Sequence, residues 1–162
     1  SLDTMQSFPQ QPEIAEFAKA VPELTIILNH IGGLSRTGIY ANKDDELLPV
    51  WREGIAAVAA CPNVVVKLGG LGMPRIGFGW HAREVPIGSE ELAVAMSPWL
   101  TYCIEQFGPD RCMLESNFPP DKVSFSYNVM YNAFKILARS YSATERADML
   151  HDTAVRAYRI DV

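Results

Sequence analysis

In the stretch Cys112-Met113-Leu114-Glu115-Ser116-Asn117-Phe118-Pro119-Pro120-Asp121, an apolar run that follows Gly108-Pro109-Asp110-Arg111 gives way to a polar, proline-rich segment. Such a pattern predicts a buried strand whose C-terminal end spills polar side chains into a loop. That end is where α/β proteins place their chemistry. Alternation puts Met113, Glu115 and Asn117 on one strand face and Cys112, Leu114 and Ser116 on the other. One face therefore carries an acid and an amide. A carboxylate in a buried strand costs on the order of several kcal/mol unless a cation meets it or it is neutralised.

Working outward, the same pattern recurs. Ile14, Phe17, Ala18 and Val21 fall at helical spacing over 11–21, with Pro12 in the first turn and Pro22 as the stop. The β-branched run over 24–30 ends in His30 before Gly32-Gly33 and reads as a strand. Leu48, Trp51, Ile55 and Val58 form the apolar stripe of a helix closed by Pro62. Val64-Val65-Val66-Lys67-Leu68 is a second buried strand running into Gly69-Gly70-Leu71-Gly72. The loop over 73–88 is long and carries Trp80, His81 and Arg83, as a lid or binding loop would. Ser89 is placed to cap a helix, and Ser97-Pro98 to start another with Trp99, Cys103 and Phe107 inward. Beyond the first-quoted strand, Tyr127, Met130, Tyr131, Phe134, Leu137, Ala138 and Tyr141 make an apolar helical stripe. Ser142-Ala143-Thr144-Glu145 is a capping box opening a last helix, with Met149, Leu150, Ala154 and Tyr158 inward.

Alternating strands and helices with near-continuously apolar strands predict an α/β fold: parallel β/α units covered by helices on at least one face. No linker or repeat divides residues 1–162, so one domain is expected. The chain has 162 residues, 48% of them hydrophobic, and a net charge of −5. That is enough for a substantial core, and no basic cluster speaks for a nucleic-acid partner. No apolar run is long enough to span a membrane, and a cytoplasmic location is the simplest expectation. The three cysteines, Cys61, Cys103 and Cys112, lack metal-type spacing and read as small core residues.

In a parallel sheet the strand ends share one rim, so His30, Lys67, Glu115 and Asn117 can converge. Lys67 is the candidate cation for Glu115, either as a structural ion pair or as a substrate-binding group. His81 and Arg83 are solvated loop charges on the ordinary reading and substrate ligands on the other. Asp110-Arg111 reads as a cap and an ion pair. The glycine run lacks a following Lys-Ser/Thr, so it is not a P-loop. An open flavodoxin-like domain with a phosphate at a glycine loop is the weakest alternative.

The segments Pro22-Glu23-Leu24-Thr25-Ile26-Ile27-Leu28-Asn29-His30-Ile31-Gly32, Pro62-Asn63-Val64-Val65-Val66-Lys67-Leu68-Gly69-Gly70, Phe107 through Pro119, and Thr153-Ala154-Val155-Arg156-Ala157-Tyr158 together resemble the amidohydrolase-2 family. More narrowly they resemble its lactonase-like, metal-dependent TIM-barrel hydrolases. The resemblance implies the C-terminal half of a (β/α)8 barrel and hydrolysis of a lactone or other small carboxylated substrate. It makes His30 the group that binds metal or polarises a carbonyl, and it implies a divalent metal, zinc or manganese. Asn117 falls where most members carry the catalytic Asp; its carbonyl would orient water or metal, with Glu115 as the reserve base. The family's N-terminal His-x-His strand has no counterpart, His30, His81 and His151 being the only histidines. A metal absent from this chain is therefore the alternative expectation. A full barrel takes about 250 residues. The expectation is a half that exposes strand edges and an apolar interior unless self-association or a complementary N-terminal half completes it. A non-catalytic half-barrel serving assembly or ligand binding is the competing reading.

Overall fold

The computed structural model describes residues 1–161. Strands β1 (Leu2–Thr4), β2 (Ile26–Leu28), β3 (Val64–Leu68) and β4 (Cys112–Leu114) form one parallel sheet in the order β1-β2-β3-β4. Asp3 pairs with Ile27, Ile27 with Val65, and Lys67 with Met113. Period-2 alternation then sorts the side chains. Ile26, Leu28, Val64, Val66, Leu68, Cys112 and Leu114 point into the main core. Asp3, Ile27, Val65, Lys67 and Met113 point the other way.

The main core is built from the helices α1 (Gln11–Ala20), α3 (Asp44–Ala59), α4 (Ser89–Phe107) and α5 (Tyr127–Leu137). Between β2 and α3 lies only a short helical turn, α2 (His30–Gly33), with left-handed backbone at Ile31 and Gly32. Helix α3 starts before its apolar stripe because Asp44, Asp45 and Glu46 fill its first turn, where carboxylates favour the helix dipole. Pro98 does not open a second helix; it lies inside α4. The carbonyl it frees, four residues back at Val94, lies on the exposed face, while Leu92, Met96, Trp99 and Leu100 carry the buried stripe through.

The end of the chain departs furthest from expectation. The capping box at Ser142 and Glu145 forms and opens α6 (Ala143–Ala147), followed by a π-helical turn (Asp148–Asp152) and α7 (Thr153–Tyr158). Leu150 and Tyr158 are exposed rather than inward, whereas Met149 is buried. Helix α7 lies on the sheet's second face, with Ala154 and Ala157 against Ile27, Val65 and Met113. Ile27 is 0% and Met113 5% exposed. The apolar interior expected to be bare is thus covered by the chain's own last helix. Small alanine side chains allow that close approach. Asp110-Arg111 is not an ion pair either. Arg111 donates to the carbonyls of Phe107, Cys61, Val64 and Ala59, and the Asp110 carbonyl accepts from Thr153 and Arg156.

Candidate active site at the strand ends

Where β2 stops, the backbone enters the left-handed region at His30 (φ 52°) and Ile31 (φ 48°). Alternation alone would have put His30 on the core side with Leu28. The turn instead carries its ring to Glu115, just past β4, with His30 Nδ1 and Glu115 Oε2 2.7 Å apart. A carboxylate only accepts, so Nδ1 is the donor, and in the neutral ring Nε2 carries the lone pair. Both side chains are largely shielded, at 12% and 16% exposure.

Lys67 approaches Glu115 Oε1 at 3.9 Å but is bonded more closely to Asp3, 2.6 Å from its Oδ1. The expected pairing of Lys67 with Glu115 is therefore the longer of two contacts, because Asp3 projects from β1 on the same face. Tyr158 Oη also donates to Asp3 Oδ1 at 2.8 Å, and Lys67 Nζ lies 5.4 Å from the Tyr158 ring centre. Burial disfavours the Asp3 carboxylate, but the bonds from Lys67 and Tyr158 outweigh it and hold its pKa below the ordinary value. Burial likewise opposes the Lys67 ammonium, and Asp3 and Tyr158 overcome it, raising that pKa. A chain of contacts thus runs Tyr158, Asp3, Lys67, Glu115, His30.

The glycine run after β3 is the floor of this arrangement. A Cβ on Gly69 would come within 2.3 Å of the Glu115 carbonyl oxygen, one on Gly70 within 2.7 Å of His30 Cβ, and one on Gly72 within 2.8 Å of Asp121 Cβ. The glycines serve close packing of neighbouring strand ends rather than phosphate binding.

Asn117 (φ 51°) lies beyond Glu115, and its Nδ2 donates to Asp121 Oδ1 at 2.7 Å. Asp121 is fully buried, and its other oxygen accepts from Gly72 N–H at 3.0 Å. The fold brings His30, Glu115 and Lys67 into contact and sets Asn117 on Asp121 at the end of the same strand. His81 sits exposed on the turn Trp80–Ala82, and Arg83, also exposed, pairs with Glu91 at 2.7 Å. Among the described residues, no hydrogen bond or ion pair links either to the strand-end cluster. Asp3, Tyr158 and Asp121 escaped the sequence reading. Asp121 lay in the first-quoted stretch, and Asp3 could have been found by extending strand alternation to β1. Nothing in the helical pattern distinguished Tyr158 from a core residue.

Residues 3–160 match the family described as Amidohydrolase. The chain belongs to the amidohydrolase family. It is 33% identical over 160 residues to the uncharacterized protein y4mH of Sinorhizobium fredii, covering 99% of this chain and 47% of that protein. It is 28% identical to the L-fucono-1,5-lactonase of Burkholderia multivorans, covering 93% of this chain and 48% of the lactonase. The chain spans about half the length of the curated relatives it matches. An amidohydrolase of B. multivorans, crystallised with bound HEPES, superposes with TM-score 0.82 at 26% identity, over 98% of this chain and 53% of that one. A second crystal form of that amidohydrolase, with bound zinc, gives 0.80 at 26% identity over 98% and 52%. The four-stranded parallel α/β sheet of this amidohydrolase chain accordingly corresponds to part of a TIM barrel.

Proposed function

We propose that the strand-end cluster is part of the active site of a hydrolase acting on a lactone or another small carboxylated substrate. The observation that carries this reading is the His30–Glu115 contact at 2.7 Å, with Lys67 next to it. Glu115 fixes the tautomer and orientation of His30 and stabilises the imidazolium that forms if Nε2 takes a proton. His30 is then the base that takes a proton from the attacking water and, as the imidazolium, returns it to the ring oxygen that leaves. Asn117 orients that water, and Lys67 attracts the carboxylate of substrate or product. A sugar lactone is the first substrate class to test, since one relative is named as a lactonase.

The described residues contain no group of three His, Cys, Asp or Glu side chains placed to hold a metal. With Nδ1 donating to Glu115, His30 Nε2 could hold a metal, whereas both Asp121 oxygens already accept from Gly72 and Asn117. These residues do not fit a closed metal site by themselves, because such sites take three or four ligands. A second polypeptide, another copy of this chain or a complementary half, would pair with the outer strands β1 and β4 and bring further site residues. No helix of the described residues is long and apolar enough to cross a membrane.

The test is hydrolysis of a panel of sugar and dicarboxylate lactones, followed by acid release, with and without zinc or manganese. His30→Asn, which tolerates a left-handed backbone, and Glu115→Gln are each expected to lower kcat by about 10²–10⁴-fold. Undiminished rates in both variants, or no turnover of any lactone by the parent protein, would overturn the proposal.

A further inference from the structure

Asp121 is 0% exposed, yet among the described residues its carboxylate is served only by two neutral donors, Gly72 N–H on Oδ2 and the Asn117 amide on Oδ1. Burial holds its carboxyl above the ordinary value, and those two bonds offset only part of that rise. The surroundings are built to hold it in place. Ser124 Oγ donates to the Gly72 carbonyl at 2.6 Å, so the Gly72 peptide is gripped at both ends by the loop after β4. Asp121 N–H donates to the Asn117 carbonyl at 3.0 Å, which ties the two residues through backbone as well as side chain.

This arrangement decides which way the Asn117 amide points. The carboxylate offers acceptors only, so the amide must turn its NH2 to Asp121, and Oδ1 is the end left over. Among the described residues no donor reaches that oxygen. We propose that Asp121 is a positioning residue: by accepting from the Asn117 amide it fixes the flip, so that a carbonyl oxygen rather than an NH2 group meets an incoming water or substrate hydroxyl. An acid at position 117, which the family resemblance leads one to expect, would instead face a second carboxylate at about the same 2.7 Å. The amide at 117 is chemically matched to the acid at 121.

The matching makes three variants of the full chain informative: Asn117→Asp, Asp121→Asn and the two combined. The readouts are thermal melting at neutral pH and the side-chain NH2 signals in 15N spectra. Asn117→Asp alone opposes two carboxylates and is expected to lower Tm by on the order of 5–10 °C. Asp121→Asn keeps the Gly72 bond through its remaining carbonyl and turns an NH2 toward position 117. The Asn117 amide must then flip, and its NH2 signals shift to solvent-like values. The double variant restores one donor and one acceptor and is expected to melt within about 2 °C of the parent. Losses that simply add in the double variant, or Asn117 signals unmoved by Asp121→Asn, would overturn the proposal. A kinetic arm rests on the hydrolase reading: Asp121→Asn lowers kcat by about 10²-fold with little change in KM, and an unchanged kcat counts against positioning. Melting and spectra need no activity, so they decide the Asp121 role even if lactone hydrolysis fails.

Discussion

Replacing Arg111 by Met should unfasten the sheet from two helices at once. Its guanidinium donates to Phe107 O at 2.9 Å, Ala59 O at 2.9 Å, Cys61 O at 3.0 Å and Val64 O at 3.3 Å. Phe107 and Ala59 are the last residues of α4 and α3, so the cation also sits at the negative ends of two helix dipoles. Hydrogen bonds to a charged group contribute about 1.5–3 kcal/mol each, but four on one group do not add, and water can reach part of this half-buried site. A loss of about 3–4 kcal/mol is expected, a large share of the roughly 5–15 kcal/mol that holds a domain together. For a chain of this size that lowers Tm by on the order of 10 °C. Urea unfolding followed by circular dichroism measures it, with the midpoint falling and the slope m unchanged. Arg111→Lys should fall between parent and Met variant, because a single ammonium cannot span four carbonyls. A loss below about 1 kcal/mol for Met, or full retention with Lys, would refute the reasoning.

The Lys67–Asp3 pair gives a pH signature. The depressed Asp3 pKa contributes stability that is present above its ordinary value of 3.8 and lost as pH falls through the lower folded value. The raised Lys67 pKa contributes stability present below 10.5 and lost as pH rises through the higher folded value. Lys67→Met should therefore flatten both limbs of the stability profile, and melting curves across the pH range check it. The thiols provide a separate test. Cys61, Cys103 and Cys112 are all buried, and burial raises the pKa values of Cys103 and Cys112 well above the ordinary range. All three should resist a thiol reagent in the folded protein and react together on unfolding.

Much of the fold was legible because its signals are local. The apolar runs of β2, β3 and β4 and the stripe of Trp51, Ile55 and Val58 each state their own element. Pro98 misled because a proline is read as a boundary, whereas the buried stripe on both sides of it outweighs one lost backbone bond. The site was legible only as a set of strand ends. His30 and Glu115 could be placed at one rim, but their contact depends on the left-handed turn at His30 and Ile31, which strand alternation does not foresee. The Lys67–Glu115 contact was legible from the shared rim, but the closer Lys67–Asp3 bond was not, because Asp3 lies 64 residues away on a short strand. The glycines of 69–72 showed that something passes closely by, but not that it is Glu115, His30 and Asp121. Arg111 beside Asp110 suggested an ion pair, while its actual acceptors are backbone carbonyls, which carry no signature in side-chain identity.

The bond from Tyr158 to Asp3 spans 155 residues. Closing a loop of that length in an unfolded chain costs about 4–5 kcal/mol of entropy, even before constant terms. Two partly exposed polar side chains cannot offset that by themselves. The loop is already short when they meet, because β2, β3 and β4 and their helices have drawn its ends together. The Tyr158–Asp3 bond therefore depends on the folded sheet between its partners, which makes it a reporter of that sheet's assembly rather than one of its sources.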